Sequence, residues 1–238
     1  MDKKTLTLNG KTVEFEPGQT ILEVARSHGV FIPTLCYLDG CVATGACRVC
    51  VVEVAGARAL VASCSTPAEQ GMDIQTESER VITSRRLTVE LLMASGDHNC
   101  ITCEMSGDCT LQNLAYSYGV ETVRFPVTPQ PYPAEMNNPF IIRDFTRCIM
   151  CGRCVQTCQE VQVNRAISFG SRGPTAKIIA GCDTTYDQSD CVFCGQCVQA
   201  CPVGALVEKK ARFKGRAKDL EKVRTTCPYC GVGCQLWL

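Results

Sequence analysis

Twenty of the 238 residues are cysteine, and most of them stand in four groups. The first is Cys36, Cys47, Cys50 and Cys64, spaced C-x10-C-x2-C-x13-C. The second, in "GDHNCITCEMSGDCTLQ", is Cys100, Cys103 and Cys109, spaced C-x2-C-x5-C with His98 two residues ahead. The third is a repeated run, C-x2-C-x2-C-x3-C. It occurs as Cys148, Cys151, Cys154 and Cys158, and again as Cys191, Cys194, Cys197 and Cys201. The fourth, in "TCPYCGVGCQLWL", is Cys227, Cys230 and Cys234, spaced C-x2-C-x3-C. Such spacings bring several soft donors onto one loop, as iron–sulfur clusters and zinc sites require. Only two histidines, His28 and His98, are present. Most of the metal chemistry must therefore be thiolate. Cys41 and Cys182 fall outside every ligand spacing.

Composition narrows the class. The opening "MDKKTLTLNG" has no apolar leader core. No apolar run approaches the ~18 residues of a membrane span. A cytoplasmic address follows, where thiols stay reduced or bind metal rather than form a disulfide scaffold. Formal net charge is zero, which gives no footprint for nucleic acid. There is no dinucleotide-type glycine loop, no flavin motif and no nucleophile–base pair, so no substrate site is expected on this chain.

The elements that must position the thiols follow from patterning. "TLTLNGKTVEF" alternates about Asn9-Gly10 and predicts a hairpin. "TILEVARSHG" predicts a short helix with a capping box from Thr20 and Glu23 and a C-terminal stop at Gly29. "RVCVVEVAG" reads as a strand. Residues 81–120 read as helical, most clearly over "VITSRRLTVELLMAS". "RFPVTPQPYPAEMNNP" is too rich in proline for helix and reads as a connection. "EKKARFKGRAKDLEKVR" reads as a basic, solvated tether, with a partner-docking surface as the lesser alternative. The expected units are 1–80, 81–122, a linker 123–139, then 140–207 and 208–238.

These motifs resemble the N-terminal electron-transfer region shared by NAD(P)-dependent formate dehydrogenases, the large iron–sulfur subunit of respiratory complex I and [FeFe]-hydrogenases. The resemblance implies an α+β chain. A β-grasp [2Fe-2S] ferredoxin domain comes first, then a small helical [4Fe-4S] domain with one histidine and three cysteine ligands. A two-cluster bacterial ferredoxin-like domain follows. It implies one [2Fe-2S] on Cys36, Cys47, Cys50 and Cys64, with zinc as the competing reading from the residues alone. The second group resembles a site usually spaced H-x3-C-x2-C-x5-C. Here that histidine slot is Gly96, and His98 is the nearest imidazole. His98 is taken as a ligand with Cys100, Cys103 and Cys109, against Asp97, solvent or a partner residue.

In two-cluster ferredoxins the fourth cysteine of each run serves the other cluster. Cys148, Cys151, Cys154 and Cys201 are thus expected to hold one [4Fe-4S]. Cys191, Cys194, Cys197 and Cys158 are expected to hold the next, in two pseudo-symmetric turn–helix halves. "TCPYCGVGCQL" resembles the opening of the molybdopterin domain of formate dehydrogenases. It implies a further [4Fe-4S] on Cys227, Cys230 and Cys234 whose fourth ligand comes from a partner subunit, or from Cys182 or Cys41. The implied function is an electron relay in a cytoplasmic NAD(P)H-linked complex. Its partners would be an NAD(P)/FMN flavoprotein subunit, a small [2Fe-2S] subunit and a second catalytic or flavin subunit, with ferredoxin in a bifurcating complex. The alternative is a split part of a molybdenum formate dehydrogenase.

Overall fold

The computed structural model describes residues 4–237; the first three residues of the opening stretch and Leu238 lie outside it. Strands β1 (Lys4–Leu8) and β2 (Lys11–Phe15) pair antiparallel through a turn at Asn9 and Gly10, both with positive φ. Asn9 also anchors the far end of the sheet: its amide bonds Thr76 in both directions at 2.8 Å. Helix α1 (Ile21–Ser27) carries the capping box, with Glu23 N–H donating to Thr20 and Thr20 N–H donating to Glu23. Gly29 follows with φ +71°, as a helix stop requires. The helix lays Ile21, Leu22, Val24 and Ala25 on a sheet completed by β3 (Val51–Val54), β4 (Val61–Ala62) and β5 (Asp73–Gln75). Strand order is β2-β1-β5-β3-β4, with only the β1–β5 pair parallel. Truncating a core side chain such as Leu22 to alanine would cost about 2–5 kcal/mol.

The region expected to be helical over 81–120 is two helices with a loop between them. Helix α2 (Glu79–Ala94) starts on a Ser78 cap, and α3 (Thr110–Ser117) starts directly after Cys109. The loop 95–109 carries His98, Cys100 and Cys103, whose approach to one point leaves no room for helical hydrogen bonding. Arg85 of α2 is fully buried. It donates to the Val51 carbonyl, to Glu77 and to the Tyr118 hydroxyl, strapping α2 to the strand that follows Cys50. The proline-rich connection contains no helix among the described residues and is pinned at both ends. Arg124 grips Glu90 through its main-chain N–H and its guanidinium, which holds the Glu90 carboxyl down at about 2. Arg143 grips Glu135 with two nitrogens.

The repeated cysteine runs build two matching halves. In the first, Met150 (φ 52°) and Gly152 (φ 78°) turn the chain into α4 (Arg153–Gln156). In the second, Phe193 (φ 53°) and Gly195 (φ 76°) do the same before α5 (Gln196–Ala200). A π-turn over Thr157–Val161 prolongs α4 past Cys158. The halves are joined by the hairpin β7 (Ile167–Gly170) and β8 (Lys177–Ala180), and clasped by β6 (Ile141–Arg143) pairing with β9 (Leu206–Glu208).

The basic stretch after β9 departs from the free tether expected of it. Arg212 pairs with Glu104, and Arg216 donates to the carbonyls of Cys103 and Ile101. Glu104 is only 10% exposed in the cysteine loop and needs counter-charge, which Arg147 and Arg212 supply. Last comes a hairpin of β10 (Arg224–Thr226) and β11 (Gln235–Trp237). No helix among the described residues is long and apolar enough to cross a membrane.

Candidate metal centres

The four cysteines of the first group meet at one buried point. Cys36, Cys50 and Cys64 are each 1% exposed. The sulfurs of Cys50 and Cys64 lie 3.3 Å apart, and Cys47 N–H points at the Cys36 sulfur at 3.5 Å. Hydrogen bonds from Cys47 and Cys64 hold the Cys36 thiol far below its usual range, while Cys47 and Cys64 are pushed up in return. Cys50 is lowered as well, to about 6, chiefly by its hydrogen bond with Cys64, so the group favours thiolate on two of its four sulfurs. Gly45 (φ +61°) and Arg48 (φ 58°) make the turns that aim this loop inward. Cys41, in the same loop, is half-buried.

The second group encloses a small cavity of about 20 Å³. His98, Cys100, Cys103 and Cys109 line it, together with Gln112, Arg147 and Gly204. A Cβ on Gly204 would sit 2.8 Å from the Cys103 sulfur, so glycine there keeps the space open. Burial lowers the His98 pKa, which favours the neutral ring. Its Nε2 lies 3.2 Å from the Leu92 carbonyl. A carbonyl only accepts, so Nε2 carries the hydrogen and Nδ1 is left with its lone pair. That is the tautomer a metal-bound histidine adopts when its other nitrogen donates to the backbone.

The displaced spacing has a steric origin. A Cβ at residue 96 would lie 2.5 Å from the Thr146 carbonyl and 2.7 Å from His98 Nε2. No side chain fits at 96, and the imidazole from 98 fills that space. Gly96→Ala is expected to push the ring aside, at about 1–3 kcal/mol of overpacking. Any centre held there should go with it, seen as a lost EPR signal and about four fewer iron atoms per chain. An unchanged spectrum would show that the loop can yield.

The third group is brought together as two crossed sets. Cys148, Cys151, Cys154 and Cys201 line one cavity of about 30 Å³ with Ile149, Ile178, Tyr186 and Val203. Burial is the main cause that pushes Cys148 to about 11 and Cys151 to about 12; nearby Cys201 adds to both. Cys197, pushed to about 12 by burial, also feels Cys191, Cys194 and Cys158. Thiols held this high bind metal only by releasing protons, so loading must be favoured by rising pH. Cys227, Cys230 and Cys234 sit together on the β10–β11 hairpin, closed by Cys227 N–H donating to the Cys234 carbonyl at 2.8 Å. Cys230 and Cys234 are exposed, and so is Cys182.

Two side chains at these sites carry no signal in the sequence. Arg147 Nη1 lies 3.5 Å from the Cys103 sulfur while paired with Glu104. Tyr186, 1% exposed, lines the cavity of the Cys148 set.

Small mixed α/β units whose buried thiols converge in this way define an iron–sulfur protein of ferredoxin-like construction. Residues 2–79 match the family described as a 2Fe-2S iron-sulfur cluster binding domain. Residues 85–124 match the NADH-ubiquinone oxidoreductase-G iron-sulfur binding region, and 147–205 the 4Fe-4S dicluster domain. The alpha subunit of the NADPH-Fe(3+) oxidoreductase of Geobacter sulfurreducens is 36% identical over 98% of this chain and 27% of its own length. The gamma subunit of the NAD-reducing hydrogenase HoxS of Cupriavidus necator is 34% identical over 92% of this chain and 94% of its own. A crystal structure of an NAD+-reducing [NiFe]-hydrogenase has a chain that superposes with TM-score 0.81. It is 36% identical, over 89% of this chain and 90% of that one. The chain belongs to the family of iron–sulfur subunits that includes the gamma subunit of the Cupriavidus hydrogenase. It spans 27% of the length of relatives such as the Geobacter protein.

Proposed function

We propose that the chain is a relay that passes single electrons between other subunits of a cytoplasmic NAD(P)H-linked oxidoreductase complex. The observation that carries this reading is one shared core. Leu35, Val49, Val89, Leu111, Ile149 and Val203 pack together, and against that core lie Cys47, Cys109, Cys148, Cys151 and Cys201. One apolar body thus touches a thiol of each of the first three groups. Electron tunnelling falls steeply with distance, so centres strung around one core suit transfer in series. A second tie joins the ends: Val42 N–H donates to Glu160, and Gln156 donates to the Val42 carbonyl. The loop of the first group is thereby fixed to the turn that carries Cys158.

In this reading a β-grasp unit at 1–80 holds a [2Fe-2S] on Cys36, Cys47, Cys50 and Cys64. The unit at 81–122 holds a [4Fe-4S] on His98, Cys100, Cys103 and Cys109. After the linker at 123–139, the unit at 140–207 holds one [4Fe-4S] on Cys148, Cys151, Cys154 and Cys201, and one on Cys191, Cys194, Cys197 and Cys158. Such clusters supply one-electron redox chemistry when bound. The chain's own work is to bury them, orient them and set their potentials through ligand type and N–H donors to sulfur. Arg147, its charge balanced by Glu104 and Asp144, still turns an N–H toward the Cys103 sulfur, and a donor there favours the reduced state. In the 208–238 unit, Cys227, Cys230 and Cys234 would hold a further [4Fe-4S] completed by a partner's ligand, at the end where electrons leave or enter. The partners are read as a flavoprotein subunit that binds NAD(P), a small [2Fe-2S] subunit and a second catalytic or flavin subunit.

Anaerobic purification with iron and acid-labile sulfide analysis tests this. About 14 iron atoms per chain are expected, or about 18 when the C-terminal hairpin is also loaded. Iron of about one or two per chain would sink the relay.

A further inference from the structure

Tyr186 stands between the two crossed cysteine sets. Its ring packs in one core with Cys154 and Cys197, one thiol from each set. The thiols of Cys197, Cys154 and Cys191 are its electrostatic neighbours. The phenol oxygen is sealed from solvent and has no hydrogen-bond partner among the described residues. A buried hydroxyl left unpaired is costly, and native structures rarely leave one so.

The arginine that covers the ring cannot serve it as an acceptor. Arg143 lies over the ring with its guanidinium carbon 4.5 Å from the centroid. Its nitrogens are spent on Glu135, the Ile178 carbonyl and the Thr184 carbonyl, and arginine only donates. The position of the tyrosine is itself tied to the ligand loop. Its carbonyl accepts from Ser189, whose hydroxyl accepts in turn from Cys191 N–H. The acceptors that share its core and cavity are cysteine sulfurs: Cys154 and Cys197 in the core, and Cys148, Cys151 and Cys201 around the cavity it lines.

We propose that the Tyr186 hydroxyl donates a hydrogen bond to a sulfur, thiolate or sulfide, of an iron–sulfur centre at this junction, and so raises its reduction potential. This rests on the relay reading given above. The reduced centre carries one more negative charge than the oxidised one, so a donor at its edge favours reduction. Removing that donor must lower the potential.

The experiment is an EPR-monitored redox titration of the whole chain carrying Tyr186→Phe, which keeps the ring under Arg143. The ratio of reduced to oxidised centre at a fixed potential should fall about tenfold in at least one of the two ferredoxin-type centres. For one electron that is about 59 mV. The [2Fe-2S] signal and the signal of the His98 site should not move. Pulsed ENDOR in deuterated buffer should show an exchangeable deuteron in the wild type that the variant lacks. Unchanged potentials in a fully loaded Tyr186→Phe chain would overturn the proposal. Should that variant lose iron, Tyr186→Met removes the hydroxyl while filling the space. Iron loss in both would assign the residue to folding and overturn tuning. A wild-type chain without clusters would instead sink the relay reading itself, and this one with it.

Discussion

Replacing Cys201 with alanine is expected to remove the same EPR signal as replacing Cys151, not the signal that depends on Cys194. The two residues are 50 positions apart by number, whereas Cys194 is in the same run. The prediction comes from where the chain goes after α5. Cys201 ends that helix with extended backbone. Thr110 N–H donates to the Pro202 carbonyl, and Asp144 N–H donates to the Ala205 carbonyl. These bonds pull the segment away from its own run and lay Cys201 in the cavity of Cys148, Cys151 and Cys154. Cys158 is carried the other way by the π-turn. Each alanine variant should lose about four of about 14 iron atoms. Cys158→Ala should match Cys194→Ala. A Cys201→Ala chain that keeps the Cys151-dependent signal and loses the Cys194-dependent one would show that each run closes on itself.

The cysteine frame was readable because spacing is a covalent constraint. A C-x2-C-x2-C segment can present its thiols to one point only through the tight turns that Gly152 and Gly195 allow. The Asn9-Gly10 hairpin and the Thr20–Glu23 capping box were readable for the same local reason. Contacts between segments far apart in number left no such trace. Arg147 reaches the Cys103 sulfur from 44 residues away, and Arg212 reaches Glu104 from 108. The basic stretch therefore reads as solvated until the buried acid it serves is seen. Tyr186 reads as one aromatic among ordinary core residues; only its unpartnered oxygen and its place between two cysteine sets separate it from them. The unusual spacing at His98 was visible as a departure. Its cause, a carbonyl of Thr146 pressed against Gly96, belongs to the fold and not to the motif.

Replacing His98 should then have a large effect of a particular kind. His98→Ala leaves the cavity of Cys100, Cys103 and Cys109 one donor short. The alanine variant is expected to lose the EPR signal of that site, along with about four iron atoms. His98→Cys offers a thiolate, but from a shorter side chain on the same loop. The space that the imidazole vacates beside Gly96, and the open side of the cavity at Gly204, are expected to let the loop settle toward the thiols. The cysteine variant should keep iron and show a potential lower by on the order of 100 mV, because thiolate brings a negative charge that neutral imidazole does not. The tautomer gives a finer check. With Nε2 committed to the Leu92 carbonyl, ligation must run through Nδ1, so nitrogen hyperfine coupling to a single histidine nitrogen should be present in the wild type and absent in both variants. If His98→Ala retains the signal at its original potential, the imidazole is a structural prop under α2 and the fourth ligand lies elsewhere.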